Sequence, residues 1–190
     1  MSADDLKIGV ILAGGQSRRM GGFDKAEFLF NGARLVDHVL ARLAPQVDHM
    51  VLSARSDYET GLDIIPDTDN APSGPAGGII SVAHALAKSH SSAEYFYSVP
   101  VDAPLCPDDL IARLGAAGGP AIARSPSGLQ PTFGRWPIKP LATGLSGMGA
   151  SISLQKLALI CEAAYIDFET DDPFLNINRP RDAQMKTTAS

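Results

Sequence analysis

The sequence predicts an α/β sandwich of three layers, α/β/α, on a mostly parallel mixed sheet of the Rossmann-like kind. Apolar runs rich in Ile and Val alternate with stretches of helical period, which is the pattern of strands joined by crossover helices. Several of those runs stop abruptly in loops dense in Gly, Pro and Asp. The chain has 190 residues, 45% of them apolar, enough for one sizeable core and too few for two full domains. One domain spanning residues 1–190 is therefore expected.

Lys7 to Ala13 reads as a buried strand halted by Gly14-Gly15. "AEFLFNGARL" offers a short extended piece with Asn31-Gly32 as its turn signal. Leu35, Val36, Val39, Leu40 and Leu43 then mark one face of a helix that Pro45 ends. "HMVLSA" supplies a second strand and "LDIIP" a shorter third. After the Gly/Pro-rich "DTDNAPSGPAGG", the segment "IISVAHALAKS" resumes helical spacing.

"YFYSVPVD" is the next strand, and Pro107 opens a helix through Leu114, with Asp108-Asp109 in its first turn. "PAIAR" and "LQPTFGRW" read as two strands around the turn "SPSG", with Trp136 filling core beside Phe133. The remainder gives a short helix near Ser151 to Ile160, a strand at "AAYIDF" and a closing segment that turns helical after Pro180.

The charge balance, 21 acidic against 16 basic residues, argues against a general nucleic-acid or anionic-membrane surface. A polyanion must then be met by a local cluster of cations. No run approaches the roughly 18 apolar residues of a membrane span, and "MSADDLK" lacks the basic start of a secretory signal. Cys106 and Cys161 have no paired metal-ligand spacing. A cytoplasmic protein is expected.

In an open α/β sheet, ligands bind beyond the carboxyl ends of the strands. Four loops there carry unusual chemistry. "LAGGQSRRMGGFDK" combines Gly14, Gly15, Gly21 and Gly22 with Arg18, Arg19 and Lys25. Glycines let the backbone approach a ligand and the cations neutralise phosphate charge. A mobile surface turn with solvated arginines is the plainer alternative; the stretch matches neither the P-loop nor the Gly-x-Gly-x-x-Gly fingerprint.

Asp102, held between Pro100 and Pro104, is a rigid single carboxylate of the kind Mg²⁺ accepts when phosphate oxygens and waters complete its octahedron, and equally a turn aspartate. Asp67 ends a short strand, and Gly74, Gly77 and Gly78 open the next helix. Asn176 and Asn178 alternate with Leu175 and Ile177, so both amides share one side of an extended segment, where they read a heterocycle edge or bond neighbouring backbone. His38, His49, His84 and His90 form no constellation, and Asp24, Glu27 and Asp171-Asp172 read as exposed or turn carboxylates.

Taken jointly, "LAGGQSRRMGGFDKA", "GPAGG", "VPVDAP" and "NINRP" occur in an order and at spacings that resemble the molybdenum cofactor guanylyltransferase (MobA) family, over nearly the whole chain. The resemblance implies a nucleotidyltransferase that moves GMP from GTP to the phosphate of Mo-molybdopterin, releasing pyrophosphate, with Mg²⁺ as cofactor. It implies apo-molybdoenzymes and other cofactor-biosynthesis proteins as partners. Carried over by motif, Leu12, Ala13 and Gly14 frame the guanine, and Gly15 and Lys25 hold the phosphates. Asp67 contacts the nucleotide, as Ser53 and Gly78 do, and Asp102 binds the metal and GTP.

Lys25, Asp102 and Arg19 are then the catalytic set, and Asn176 and Asn178 contact the pterin. The amino-terminal part binds nucleotide and the carboxy-terminal part pterin. Two departures stand out. Ser53 replaces a frequent Asn and Arg179 a frequent Thr, and a hydroxyl lacks the two-edged hydrogen bonding of an amide, which bears on base selectivity. A cytidylyltransferase on the same pterin, a sugar-1-phosphate nucleotidyltransferase and a non-catalytic cofactor carrier are the alternatives.

Overall fold

A computed structural model describes residues 6–14, 24–69, 71–143 and 151–177. Nine strands and five α-helices lie among them, following one another as β1 (Ile8–Leu12), β2 (Leu29–Phe30), β3 (Ala33–Arg34), α1 (Leu35–Leu43), β4 (His49–Ser53), β5 (Asp63–Ile64), α2 (Pro75–Ser89), β6 (Tyr95–Pro100), α3 (Leu110–Gly115), β7 (Ala121–Ser125), β8 (Gly128–Pro137), α4 (Ile138–Thr143), α5 (Leu154–Ile160) and β9 (Ala164–Asp167). The predicted α/β sandwich is what forms. Seven strands make one sheet in the order β5-β4-β1-β6-β8-β7-β9. All its pairings are parallel except those of β8, which runs against both neighbours.

Why the sheet is sandwiched follows from alternation along its strands. Ile11 of β1 faces a core shared with Val36, Val39 and Leu43 of α1 and Leu110 and Leu114 of α3. Ile8, Val10 and Leu12 face the opposite core, with Val82 and Leu86 of α2, Leu141 of α4 and Leu157 of α5. A strand buried on both faces must be apolar at every position, and β1 is buried throughout. Each large side chain so buried contributes about 1.5–3 kcal/mol.

Trp136 and Phe133 are both buried in β8 but fall into different cores, so Trp136 does not lie beside Phe133 as expected. An odd spacing along a strand sends two side chains to opposite faces. Phe133 packs edge-on against Phe174, and the Trp136 indole N–H donates to Ser98 Oγ at 2.9 Å.

Two further expectations shift. The helix expected to open at Pro107 starts later, at Leu110. Gln46 supplies the reason, because its Nε2 donates to the Pro107 carbonyl at 2.9 Å and its Oε1 accepts from Ile111 N–H at 3.1 Å. A side chain from another segment thus meets an early helical donor that a longer first turn would otherwise leave open. The second is α4, a helix that the sequence pattern does not announce. The segment after Pro180 lies outside the described residues.

The β2–β3 hairpin turns through Asn31 and Gly32, at φ 48° and 85°, the two left-handed residues of a tight hairpin turn. Among the described residues no helix is long and apolar enough to cross a membrane.

Candidate active site

Parallel pairing puts the carboxyl ends of β4, β1 and β6 side by side. Leu12 is in register with Ser53 on one side and Pro100 on the other. The chain leaving β1 stays fastened to both neighbours, since Ala13 N–H donates to the Ser53 carbonyl and the Leu12 carbonyl accepts from Val101 N–H, each at 3.0 Å. Leu12, Ala13, Gly14, Ser53 and the start of the Asp102 turn are therefore one continuous strip of the sheet's edge.

The first turn of α2 packs against that strip. Gly74 begins the helix at φ 88°, outside the range favoured by a side-chain-bearing residue, and Pro75 follows at its first position. At Gly78 an added methyl carbon would stand 3.0 Å from Ser53 Oγ, 3.6 Å from Asp67 Oδ1 and 3.9 Å from Leu12 Cδ2. The absence of a side chain at Gly78 is what lets Ser53, Asp67 and Leu12 converge. Ser53 is 2% exposed, whereas Asp67 is exposed.

Ser81 holds the Asp67 loop in place. It is buried, and its hydroxyl accepts from Thr68 N–H at 2.9 Å. No motif in the sequence points to Ser81, although it stands three residues beyond Gly78 and so on the same helical face. That spacing is the one available signal.

On the other flank, Lys25 Nζ donates to Asp102 Oδ2 at 2.8 Å. The two side chains are 31% and 16% exposed, so the pair sits at the rim of the protein with an open side. Lys25 is the first residue of a 3₁₀ turn, Lys25–Glu27, capped by Asp24, whose Oδ1 accepts from Ala26 N–H at 3.1 Å. Asp24, expected to be an exposed or turn carboxylate, is exposed and caps this turn. Asp102 follows β6 by two residues, and its carbonyl accepts from Ile177 N–H at 2.8 Å. That bond brings the carboxy-terminal segment to the same edge.

Asn176, one residue earlier, is exposed. Gly15, Arg19, Asn178, Arg179 and most of Ser146 to Ser151 lie outside the described residues. The histidines stay away from this edge in their bonding: His38 Nε2 meets the Phe30 carbonyl, His84 Nδ1 meets the Ile80 carbonyl, and His49 stacks on His90 with ring centres 4.8 Å apart. Cys106 and Cys161 are free thiols.

The chemistry available here is charge handling. Among the described residues there is no grouping of three or more His, Cys, Asp and Glu side chains that could hold a metal. A cation at Asp102 would have to draw most of its ligands from a substrate and from water, which suits a hard ion of Mg²⁺ type. Lys25 donation to Oδ2 leaves the second oxygen of the carboxylate as the donor for such an ion.

Known proteins show the same architecture. A molybdenum cofactor guanylyltransferase from Cereibacter sphaeroides is 37% identical over 181 residues, covering 92% of each chain. The solved structure of molybdopterin-guanine dinucleotide biosynthesis protein A from Archaeoglobus fulgidus superposes with a TM-score of 0.64 at 18% identity, covering 95% of this chain and 96% of that one. A 4-diphosphocytidyl-2C-methyl-D-erythritol synthase from Anaerococcus prevotii superposes with a TM-score of 0.70 at 11% identity, covering 95% and 96%. At such identities these two structures speak for the fold alone. The sequence model of the MobA-like NTP transferase domain matches residues 9–157, and with most of its length so matched the chain belongs to that family.

Proposed function

We propose that this chain transfers GMP from GTP to the phosphate of Mo-molybdopterin, releasing pyrophosphate and forming the guanine dinucleotide cofactor in the cytoplasm. Membership of the family supports a nucleotidyltransferase, and the observation that carries the site is the Lys25–Asp102 pair, 2.8 Å apart, which joins the Lys25 turn to the end of β6. GTP and Mo-molybdopterin are the substrates, and apo-molybdoenzymes and other cofactor-biosynthesis proteins the expected partners.

In this reading the base lies along Leu12, Ala13 and Gly14, bounded by Ser53, Asp67 and Gly78. Its phosphates run toward Gly15 and Lys25. An oxygen of the acceptor phosphate attacks the α-phosphorus, the bond to the β-phosphate bridging oxygen breaks, and pyrophosphate leaves with the electron pair. Like charges meet in that step, so the protein's work is positioning and charge neutralisation, which explains a site without catalytic His or Cys. Lys25, with Arg19, offsets the charge that grows on the leaving pyrophosphate. Asp102 would hold Mg²⁺, which when bound would supply Lewis-acid charge beside the phosphates. Asn176 and Asn178 hold the pterin.

Nucleotide competition tests the reading. With Mg²⁺ and the pterin acceptor, pyrophosphate release is expected from GTP in preference to CTP and UTP. Preference for CTP would replace the guanylyl assignment.

A further inference from the structure

Lys25 can neutralise a phosphate only if the turn that carries it is held, and that turn has few apolar anchors. Ala26 is its one buried residue, while Asp24 and Glu27 are exposed. What fastens it comes from the loop after β4. The Tyr58 hydroxyl donates to Asp24 Oδ2 at 2.7 Å, a short bond to a charged acceptor. Asp24 Oδ1 meanwhile caps the turn at Ala26 N–H. One carboxylate therefore joins the Lys25 turn to Tyr58.

Tyr58 is itself constrained from behind. It is 8% exposed, and its backbone adopts φ 48°, a left-handed conformation disfavoured for a residue bearing a β-carbon. Its carbonyl accepts from Arg34 Nη1 at 2.9 Å. Arg34 is fixed in turn by a two-pronged bond to Asp37, with both contacts at 2.8 Å, and by Glu27 at 3.2 Å. Glu27 belongs to the Lys25 turn, so the bonds close a ring: turn, Asp24, Tyr58, Arg34, and back to the turn. Burial and the Asp24 carboxylate push the Tyr58 phenol well above its ordinary range, so it keeps its proton to donate.

We infer that Tyr58 is a positioning residue for nucleotidyl transfer, fixing through Asp24 the turn from which Lys25 reaches the nucleotide phosphates. This rests on the reading that Lys25 holds those phosphates. The sequence shows no motif at "RSDYETG", and Tyr58 touches no reacting atom; its effect passes through Asp24.

The test is a double-mutant cycle on Tyr58→Phe and Lys25→Ala, read by steady-state kinetics and by thermal unfolding. Tyr58→Phe keeps the ring and its packing, so the unfolding midpoint should fall by no more than the few degrees that one lost hydrogen bond explains. The KM for GTP should rise about tenfold, in line with losing one hydrogen bond to a charged group, while the KM for the pterin acceptor stays put. In the Lys25→Ala background the same change should add less than twofold, because the group it positions is gone. Asp24→Ala, at an exposed side chain, should repeat the GTP-selective pattern should Tyr58→Phe fold poorly. A lowered midpoint with an unchanged KM for GTP, or full additivity with Lys25→Ala, overturns the inference. A Lys25→Ala protein that binds GTP as well as wild type overturns the phosphate-holding role beneath it; a loss there without a loss in Tyr58→Phe overturns the brace alone.

Discussion

Gly78 approaches Ser53 so closely that a methyl carbon on the glycine would stand 3.0 Å from the serine hydroxyl oxygen. That gap is tighter than ordinary van der Waals contact, and Ser53 sits at the end of a buried strand with little room to retreat. The helix of α2 and the tips of β1 and β4 are thus spaced for a backbone and not for a side chain.

Gly78→Ala tests whether this spacing serves a nucleotide. Alanine raises helix propensity by about 1 kcal/mol, which offsets much of the crowding, so the thermal midpoint should change little. The displaced Ser53 and Asp67 side chains should weaken GTP binding about tenfold. Titration of GTP into wild type and variant, beside a melting curve for each, checks both expectations. An unaltered GTP affinity would mean that Gly78 is needed for packing alone.

At the other flank, Asp102→Ala should abolish pyrophosphate release while circular dichroism stays native. The backbone carbonyl of Asp102 that ties down Ile177 survives the substitution, and only the side chain is lost. Lys25→Ala should leave measurable turnover, at a cost of about 2–4 kcal/mol in transition-state stabilisation. Full activity in the Asp102 variant would remove the metal role.

Much of this edge is legible in the amino-acid sequence, because strand ends declare themselves. Leu12 and Ser53 each close an apolar run, and Asp102 closely follows a third. What the linear order withholds is partnership. Lys25 and Asp102 stand 77 residues apart, and only the fold brings the Lys25 turn to the end of β6. The reversed direction of β8 is equally a matter of pairing energies between distant segments. The helix α4 is hidden for a local reason: it spans six residues, contains Pro140, and offers just Ile138 and Leu141 as buried positions. Tyr58 is silent too, because a positioning tyrosine in a polar loop has no signature of its own.

Gly77 makes a harsher demand than its neighbour. A β-carbon there would lie 2.0 Å from the Pro72 carbonyl oxygen, a backbone atom that cannot swing aside. Gly77→Ala must therefore shift the loop or the first turn of α2, and overpacking of this sort costs about 1–3 kcal/mol or more. Urea unfolding should show that loss, in contrast to the nearly unchanged stability expected for Gly78→Ala. Equal effects at the two glycines would mean that the entry to α2 adapts more freely than its geometry implies.

Cys106 gives the chain an alkaline weakness with a definite sign. It is fully buried, and burial pushes its thiol up from an ordinary value of 9.0 to about 12, with Asp108 adding to the shift and Arg42 opposing it. Above pH 9 the unfolded chain releases this proton while the folded chain keeps it, so unfolding gains. The stabilising contribution is complete below pH 9 and drains away as the pH climbs toward 12. Between pH 8 and 10.5 the loss amounts to about 2 kcal/mol for one such group. Other groups titrate in this range, so the comparison is with Cys106→Ala: from pH 8 to pH 10.5 its urea-unfolding free energy should fall by less than that of the wild type. The same burial should keep Cys106 unreactive toward iodoacetamide at pH 8 in the folded protein, and rapid alkylation there, or identical pH slopes for the two proteins, would contradict the shifted thiol.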